Sequence, residues 1–183
     1  MRFIAAAGVA AVVATVLVPA AGIAGGTAAA APRPDRTTAS HQHSPRVLRV
    51  GTYDGKRGQY RTIQAAVDAA KPGDWILIGP GDYKTHSSRA PKANLNVPAG
   101  VLVTTPGVFI RGMNRNKVIV DGTKSGPPCS TATRDQNFGP KNANGDRLGL
   151  NGLEVWKASN VWVQNLTACN SLSGAGSAGN EIW

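Results

Sequence analysis

The stretch YRTIQAAVDAAKPGDWILIGPGDY, residues 60–83, decides the fold. Its first half is rich in helix formers, and its apolar positions fall on one helical stripe: Ile63, Ala66, Val67 and Ala70. Thr62 precedes this stripe as an N-cap, and Pro72-Gly73 ends the helix. Trp75 to Ile78 is apolar at every position, which is typical of a strand buried on both faces. The sequence therefore predicts a short helix, then a buried strand and a Gly-Pro-Gly turn.

Beyond Asn94 the chain becomes a series of very short apolar triplets separated by Gly, Asn, Asp and Pro. The triplets lie at residues 101–103, 108–110, 118–120, 153–155 and 161–163. A triplet is too short to form a stable sheet alone. Stacked coils solve this problem, because each strand then pairs above and below and the inward side chains share one core.

Two segments look like copies of one coil, residues 109–122 and 153–165. Asn160, Asn165 and Asn170 recur at turn positions, where Asn tolerates a left-handed backbone. Residues 123–151 lie between the two copies and are rich in Gly, Pro and Asn. They are predicted to form a long loop that leaves the coil, and long loops in compact domains are often functional.

Residues 60–83 resemble the N-terminal cap of right-handed parallel β-helix proteins of the pectate-lyase-like superfamily. In that family a short helix closes the end of the solenoid, and a strand of pattern PGDxIxxxPGxY, here residues 72–83, begins the first coil. Residues 159–167 resemble the repeat coil of the family. The resemblance implies an all-β fold, a right-handed parallel β-helix with a short capping α-helix. The sequence stops at Trp183 inside a predicted strand, so the solenoid is interpreted as truncated at its C-terminus.

The N-terminal residues are predicted to form a signal peptide, residues 1–31, with an apolar run at 3–18 and a small-residue cleavage region. A transmembrane anchor is the alternative, but this run is short for a membrane span. Residues 32–46 are predicted to be a disordered linker, because they contain almost no large apolar residue. Residues 47–183 would then hold the cap and first coils of an incomplete β-helix. The expected location is extracellular, with no membrane span after cleavage.

The chain carries 20 Lys and Arg against 10 Asp and Glu, a formal net charge of +10. A positive surface attracts polyanions, and for a secreted protein the expected partner is an acidic polysaccharide rather than a nucleic acid. Solubility alone is the alternative, because the basic residues are scattered and form no run. A full-length protein of this kind is expected to be a monomer.

The two cysteines, Cys129 and Cys169, are predicted to form one disulfide, because an exported chain meets an oxidising compartment. Two buried free thiols are the alternative. No Cys or His cluster lies near either residue, so no metal site is predicted.

The resemblance implies a polysaccharide-acting protein, a pectate-lyase-like enzyme on acidic glycans. The alternative is a non-catalytic β-helix that binds glycan or serves at the cell surface. An enzyme would be a polysaccharide lyase or a glycoside hydrolase, and a lyase would use calcium held by carboxylates. The catalytic residues of such lyases lie on central coils, which this chain does not reach, so none is transferred.

The residues alone provide several candidates for a site. Asp146, Arg147, Glu154 and Lys157 could bind calcium or a uronate, or they could be solvent-exposed turn charges. If Val161 and Val163 point inward, strand alternation sends Trp162 outward. An outward Trp162 could stack on a sugar ring as a substrate-binding residue, or it could pack under a loop.

Overall fold

The computed structural model describes residues 43–85 and 89–183. The predicted signal peptide and most of the predicted linker lie outside these residues. The elements are β1 (Val47–Val50), β2 (Thr52–Tyr53), β3 (Lys56–Arg57), α1 (Ile63–Ala69), β4 (Trp75–Ile78), β5 (Gly81–Lys84), β6 (Ala99–Val103), β7 (Phe109–Gly112), β8 (Val118–Asp121), β9 (Asn151–Val155), β10 (Trp162–Gln164) and β11 (Thr167–Cys169).

Three parallel sheets are built by strands that recur in the same order along the chain. The first sheet has the order β1-β4-β7-β10, the second contains β5, β8 and β11, and the third pairs β6 with β9. Ile182 bridges Leu153 in parallel and adds a further pairing beside β9. The chain thus visits the three sheets in turn and repeats the circuit. These observations confirm an all-β, parallel, solenoid-like fold with one helix.

The core lies between the three sheets and is formed by the inward positions of each strand. Ile76 and Ile78 of β4 are fully buried there, and Ile110 of β7 lies beside Ile76 in register. Trp75 and Leu77 alternate with them on the outer face and are only half-buried. The sequence predicts burial of β4 on both faces, whereas the structure fully buries only the inner one.

Helix α1 covers the first strand of the third sheet. Thr62 caps the helix, and its Oγ1 accepts a hydrogen bond from the Ala65 N–H at 3.2 Å. The predicted apolar stripe faces the core. Gln64 lies beside β6, where its Oε1 accepts from the Leu102 N–H at 2.7 Å and its Nε2 donates to the Leu102 carbonyl at 3.1 Å. The Gln64 side chain therefore takes the place of a neighbouring strand at the edge of β6.

Asp74 anchors residues 43–46, which the sequence assigns to the linker, to the start of β4. Its carboxylate accepts from the Arg46 guanidinium at 2.7 Å, from the Lys71 N–H at 2.9 Å and from His43 Nε2 at 2.7 Å. Burial alone would raise the pKa of Asp74, but these hydrogen bonds outweigh it and hold the pKa well below its usual range. A buried, charged acceptor thus gives this polar segment a fixed position.

The long loop, predicted at residues 123–151, is residues 122–150 in the structure, between β8 and β9, and it includes a short 3-10 helix at Thr133–Asp135. Cys129 in the loop forms a disulfide with Cys169 at the end of β11, with Cα atoms 5.6 Å apart. This confirms the predicted pairing. Asn170 Nδ2 also donates to the Ser130 carbonyl at 2.7 Å. The loop is therefore fixed to the second sheet near its own beginning.

The repeat identified in the sequence is out of phase with the coils. Phe109 pairs with Trp162 in the first sheet, and Ile119 pairs with Thr167 in the second. Leu153, which the sequence aligns with Phe109, lies instead in the third sheet beside Val101. Apolar triplets are alike in all three sheets, so their pattern alone does not identify the sheet.

The described residues include no helix with the length and apolar character that a membrane crossing requires.

Candidate functional site

The outer face of the first sheet carries two rows of side chains that run across its strands. The register places one outward residue of each strand in the first row, which we call the aromatic row: Val47, Trp75, Phe109 and Trp162. The second row lies two residues further along each strand. We call it the arginine row, and it consists of Arg49, Leu77, Arg111 and Gln164. Strand alternation directs both rows away from the core.

The aromatic row contains three consecutive rings. Trp75 and Phe109 are stacked, with ring centroids 4.7 Å apart and ring planes inclined by 12°. Trp162 lies on the next strand and is 61% exposed. Neighbouring strands are about 4.8 Å apart, so the three side chains lie in one strip along the sheet, in which Trp75 stacks on Phe109 and Trp162 is the most accessible ring.

The arginine row places two exposed guanidinium groups beside this strip. Arg49 and Arg111 flank Leu77 in register and are both exposed. Neither side chain forms an ion pair within the part of the chain that the structure describes. Their charges are therefore not compensated locally.

The two rows together have the chemistry that an acidic sugar requires. A flat aromatic face packs against the apolar face of a sugar ring, and a guanidinium can hold a carboxylate or sulfate through two parallel hydrogen bonds. Residues two apart on a strand are about 7 Å apart. A sugar ring beside Phe109 would therefore have the Arg111 guanidinium within reach of its charged substituent, and Arg111 also lies diagonally across from Trp162 on the neighbouring strand.

The four charged candidates lie away from the two rows: Asp146 and Arg147 are adjacent in the long loop, and Glu154 and Lys157 lie in β9 and just after it. Asp146 and Arg147 lie in the long loop, where Asp146 accepts from the Asn142 side chain at 3.4 Å and Arg147 donates to the Gly139 carbonyl at 2.9 Å. Lys157 is exposed, with its Nζ 5.8 Å from the centre of the Trp156 ring. Within the described ranges, no hydrogen bond or ion pair joins any two of Asp146, Arg147, Glu154 and Lys157.

Glu154 is buried rather than presented to solvent. Its side chain is 0% exposed, and its Oε2 accepts from Asn151 Nδ2 at 3.0 Å. Its Oε1 has no partner among the residues described. Burial raises the pKa of Glu154. This carboxyl group therefore lies where a large ligand such as a glycan does not reach it.

A second polar cluster, around Lys84, is saturated by its own partners. Lys84 Nζ donates to Asp121 Oδ2 and to Thr123 Oγ1, each at 2.8 Å, and pairs with Asp82 at 3.0 Å. Asp121 also accepts from the Cys129 N–H at 3.2 Å, so the cluster holds the start of the loop. Among residues 43–85 and 89–183, no three His, Cys, Asp or Glu side chains come together as a metal site would require.

Sequence reasoning identified Trp162 and missed the other members of the two rows. The structure places Trp162 outward, while its neighbours Val161 and Val163 pack against the core. An alignment of the outward positions of successive coils would identify the other aromatic and arginine residues, which are Trp75, Phe109, Arg49 and Arg111. That step needs the correct phase of the coils, which the triplets do not provide.

No protein-family model matches the chain, and no curated protein matches its sequence.

Proposed function

We propose that this chain is a secreted, right-handed parallel β-helix protein of the pectate-lyase-like superfamily, and that it binds acidic polysaccharide on the outer face of its first sheet. The cap-like residues 60–83 support the family. Parallel crossovers within one sheet are almost always right-handed, which supports the handedness. The Cys129–Cys169 disulfide is compatible with an oxidising, extracellular compartment.

One observation carries the binding function, which is the register of the aromatic row beside the arginine row. Trp162 presents the exposed ring for stacking on a sugar unit, and Trp75 and Phe109, which stack on each other, extend the apolar surface beside it. Arg111 lies two residues from Phe109 on β7, about 7 Å away, and Arg49 provides a second charge on the same face. Neither row alone distinguishes an acidic glycan from other ligands, but their combination favours a ring that carries an anionic group.

Substitution of the exposed ring tests this function directly. We expect Trp162→Ala to weaken binding to acidic oligosaccharides by roughly tenfold or more, as loss of one aromatic stacking contact of about 1.5 kcal/mol would do. Affinity electrophoresis through gels containing polygalacturonate or alginate measures this change. Phe138→Ala is the matched control, because Phe138 is also an exposed aromatic residue, 44% accessible, but lies in the long loop. Equal retention of Trp162→Ala and the unsubstituted protein would contradict the proposal.

Polysaccharide lyase activity is a second candidate, and the cap-like motif at residues 72–83 favours it. A lyase of this superfamily would use calcium held by carboxylates, but no residue of this chain is assigned to that role. The test is the ultraviolet absorbance of unsaturated products from polygalacturonate, with calcium and with a chelator. Binding without product formation would favour the non-catalytic alternative.

A further inference from the structure

A cleft lies between the β2–β3 hairpin and the outer face of the first sheet, at the end of the arginine row. Its volume is about 510 Å³, within the roughly 300–1,000 Å³ of small-ligand sites. Leu77 and Met113 provide apolar lining, and Arg49, Lys56 and Arg57 provide charge. The cleft thus has an apolar part that suits a sugar ring and a basic part that suits an anionic substituent.

The hairpin that forms one wall is held closely against β1. The Gly58 N–H donates to the Gly51 carbonyl at 2.6 Å, and the Tyr60 N–H donates to the Arg49 carbonyl at 3.0 Å. A Cβ atom at Gly58 would lie 2.4 Å from the Arg49 oxygen, so only glycine permits this approach. The wall is therefore formed without a ligand, which reduces the ordering cost of binding.

The charges around the cleft are unbalanced. Arg49, Lys56 and Arg57 line it together with a single carboxylate, Asp54. None of these four side chains takes part in an ion pair with any residue in the described ranges. An anion entering the cleft would meet cations that need not give up a protein partner first.

We propose that this cleft is a subsite for the anionic substituent, a carboxylate or a sulfate ester, of one sugar unit, whose neighbouring units lie on the aromatic row. The inference rests on the proposed glycan-binding function and deepens it. Arg49 belongs to both the arginine row and the cleft, so one continuous surface joins the two. The hairpin cations then select for the charge of the glycan, while the aromatic row contributes stacking that is insensitive to charge.

The double variant Lys56→Gln/Arg57→Gln tests the subsite, with dissociation constants measured by calorimetry for uronate, sulfated and neutral oligosaccharides. We expect acidic ligands to bind roughly tenfold more weakly, as loss of one charge-assisted hydrogen bond would produce, and neutral ligands to bind unchanged. The matched control is Lys92→Gln/Lys141→Gln, which removes the same charge at two exposed residues outside the cleft. An equal loss in both double variants would overturn the subsite, because general attraction would then explain it.

Two further results separate the subsite from the function on which it rests. If Trp162→Ala loses binding but Lys56→Gln/Arg57→Gln retains it, the glycan-binding face stands and the subsite is wrong. If the unsubstituted protein binds no glycan, titration with inorganic sulfate or acetate, followed by NMR shifts of the residue 51–58 amides, still tests the cleft. Saturating shifts that are lost in the double variant support it, and no shifts overturn it. The stronger of the two anions identifies the preferred substituent.

Discussion

Two buried carboxyl groups, Asp74 and Glu154, show how the surroundings of one residue decide its effect on stability. Asp74 accepts hydrogen bonds from Arg46, Lys71 and His43, so its negative charge is compensated. Glu154 accepts from Asn151, and its Oε1 has no partner in the described part of the chain. Burial therefore disfavours the ionised form of Glu154, and folding must either protonate this group or bury an uncompensated charge.

We expect Glu154→Gln to stabilise the protein at neutral pH. The pKa of Glu154 is raised above its ordinary 4.5 in the folded state. The free energy of unfolding therefore decreases as the pH rises from 4.5 to the raised pKa, and it stays at the lower level above that pKa. A neutral amide removes this cost while its oxygen still accepts from Asn151. A gain of roughly 1 kcal/mol would raise Tm by a few degrees.

Thermal denaturation of the two proteins at neutral pH and near pH 4 measures this effect. The difference in Tm should shrink in acid, because Glu154 is then protonated in the unfolded chain as well. An Asn151→Ala variant should lower stability in both backgrounds, because Asn151 Oδ1 also accepts from the Gly179 and Asn180 N–H groups, each at 2.9 Å. A Tm that falls on substitution at neutral pH would show that the charge of Glu154 is compensated.

At the scale of elements, α1 provides a side chain that hydrogen-bonds to the edge of β6, where another strand would otherwise pair. Among the strands that the structure describes, β6 pairs only with β9, and Arg89 bridges Ala99 at the start of β6. Gln64 fills the other side through its two hydrogen bonds with Leu102. An unpaired edge strand is a template for association with another chain, so this residue contributes both stability and protection from aggregation.

We expect Gln64→Ala to destabilise the protein by about 1–3 kcal/mol, because the Leu102 N–H and carbonyl lose their partners in a partly buried position. Chemical denaturation gives the free energy of unfolding, and light scattering during heating reports aggregation. Gln164→Ala is the control, because Gln164 lies exposed on β10. Unchanged stability of Gln64→Ala would mean that water replaces the side chain without cost.

Elements differed in how well the sequence predicted them. Helix α1 has an N-cap, an apolar stripe and a Pro-Gly stop signal in the sequence, and both of its ends lie within one residue of the prediction. Asn160, Asn165 and Asn170 have φ of 56°, 57° and 59°, as their turn positions indicated. Strand β5 and the β2–β3 hairpin were missed, because Gly81 and Gly55 signal turns and these strands are too short to show periodicity.

At the scale of the whole molecule, the coils place residues side by side that lie far apart in the sequence. Trp75, Phe109 and Trp162 adjoin through strand register, which a local pattern does not encode. This is why the candidate face could be predicted only at Trp162, whose exposure follows from simple alternation. The loop and its disulfide were easier to predict from the sequence, because the chain has only two cysteines, Cys129 and Cys169, that could pair.

We expect the Cys129→Ser/Cys169→Ser variant to lose roughly 2–4 kcal/mol of stability, since the disulfide closes a loop with a sequence separation of 40. Limited proteolysis should then cleave residues 122–150 first, because this loop loses its covalent link to β11. Binding at the first sheet should persist under conditions where the variant is folded. Protease resistance equal to that of the oxidised protein would show that hydrogen bonds such as Asn170 to Ser130 suffice.

The spacing of the aromatic row has a consequence for how the proposed glycan ligand would bind at different chain lengths. Each turn of the solenoid adds one strand to the first sheet, and successive strands advance by about 4.8 Å, a distance comparable to the length of one pyranose unit. A glycan bound as we propose would therefore meet one further outward residue of the row with each added sugar unit. Its affinity should then stop increasing once its length matches the number of coils.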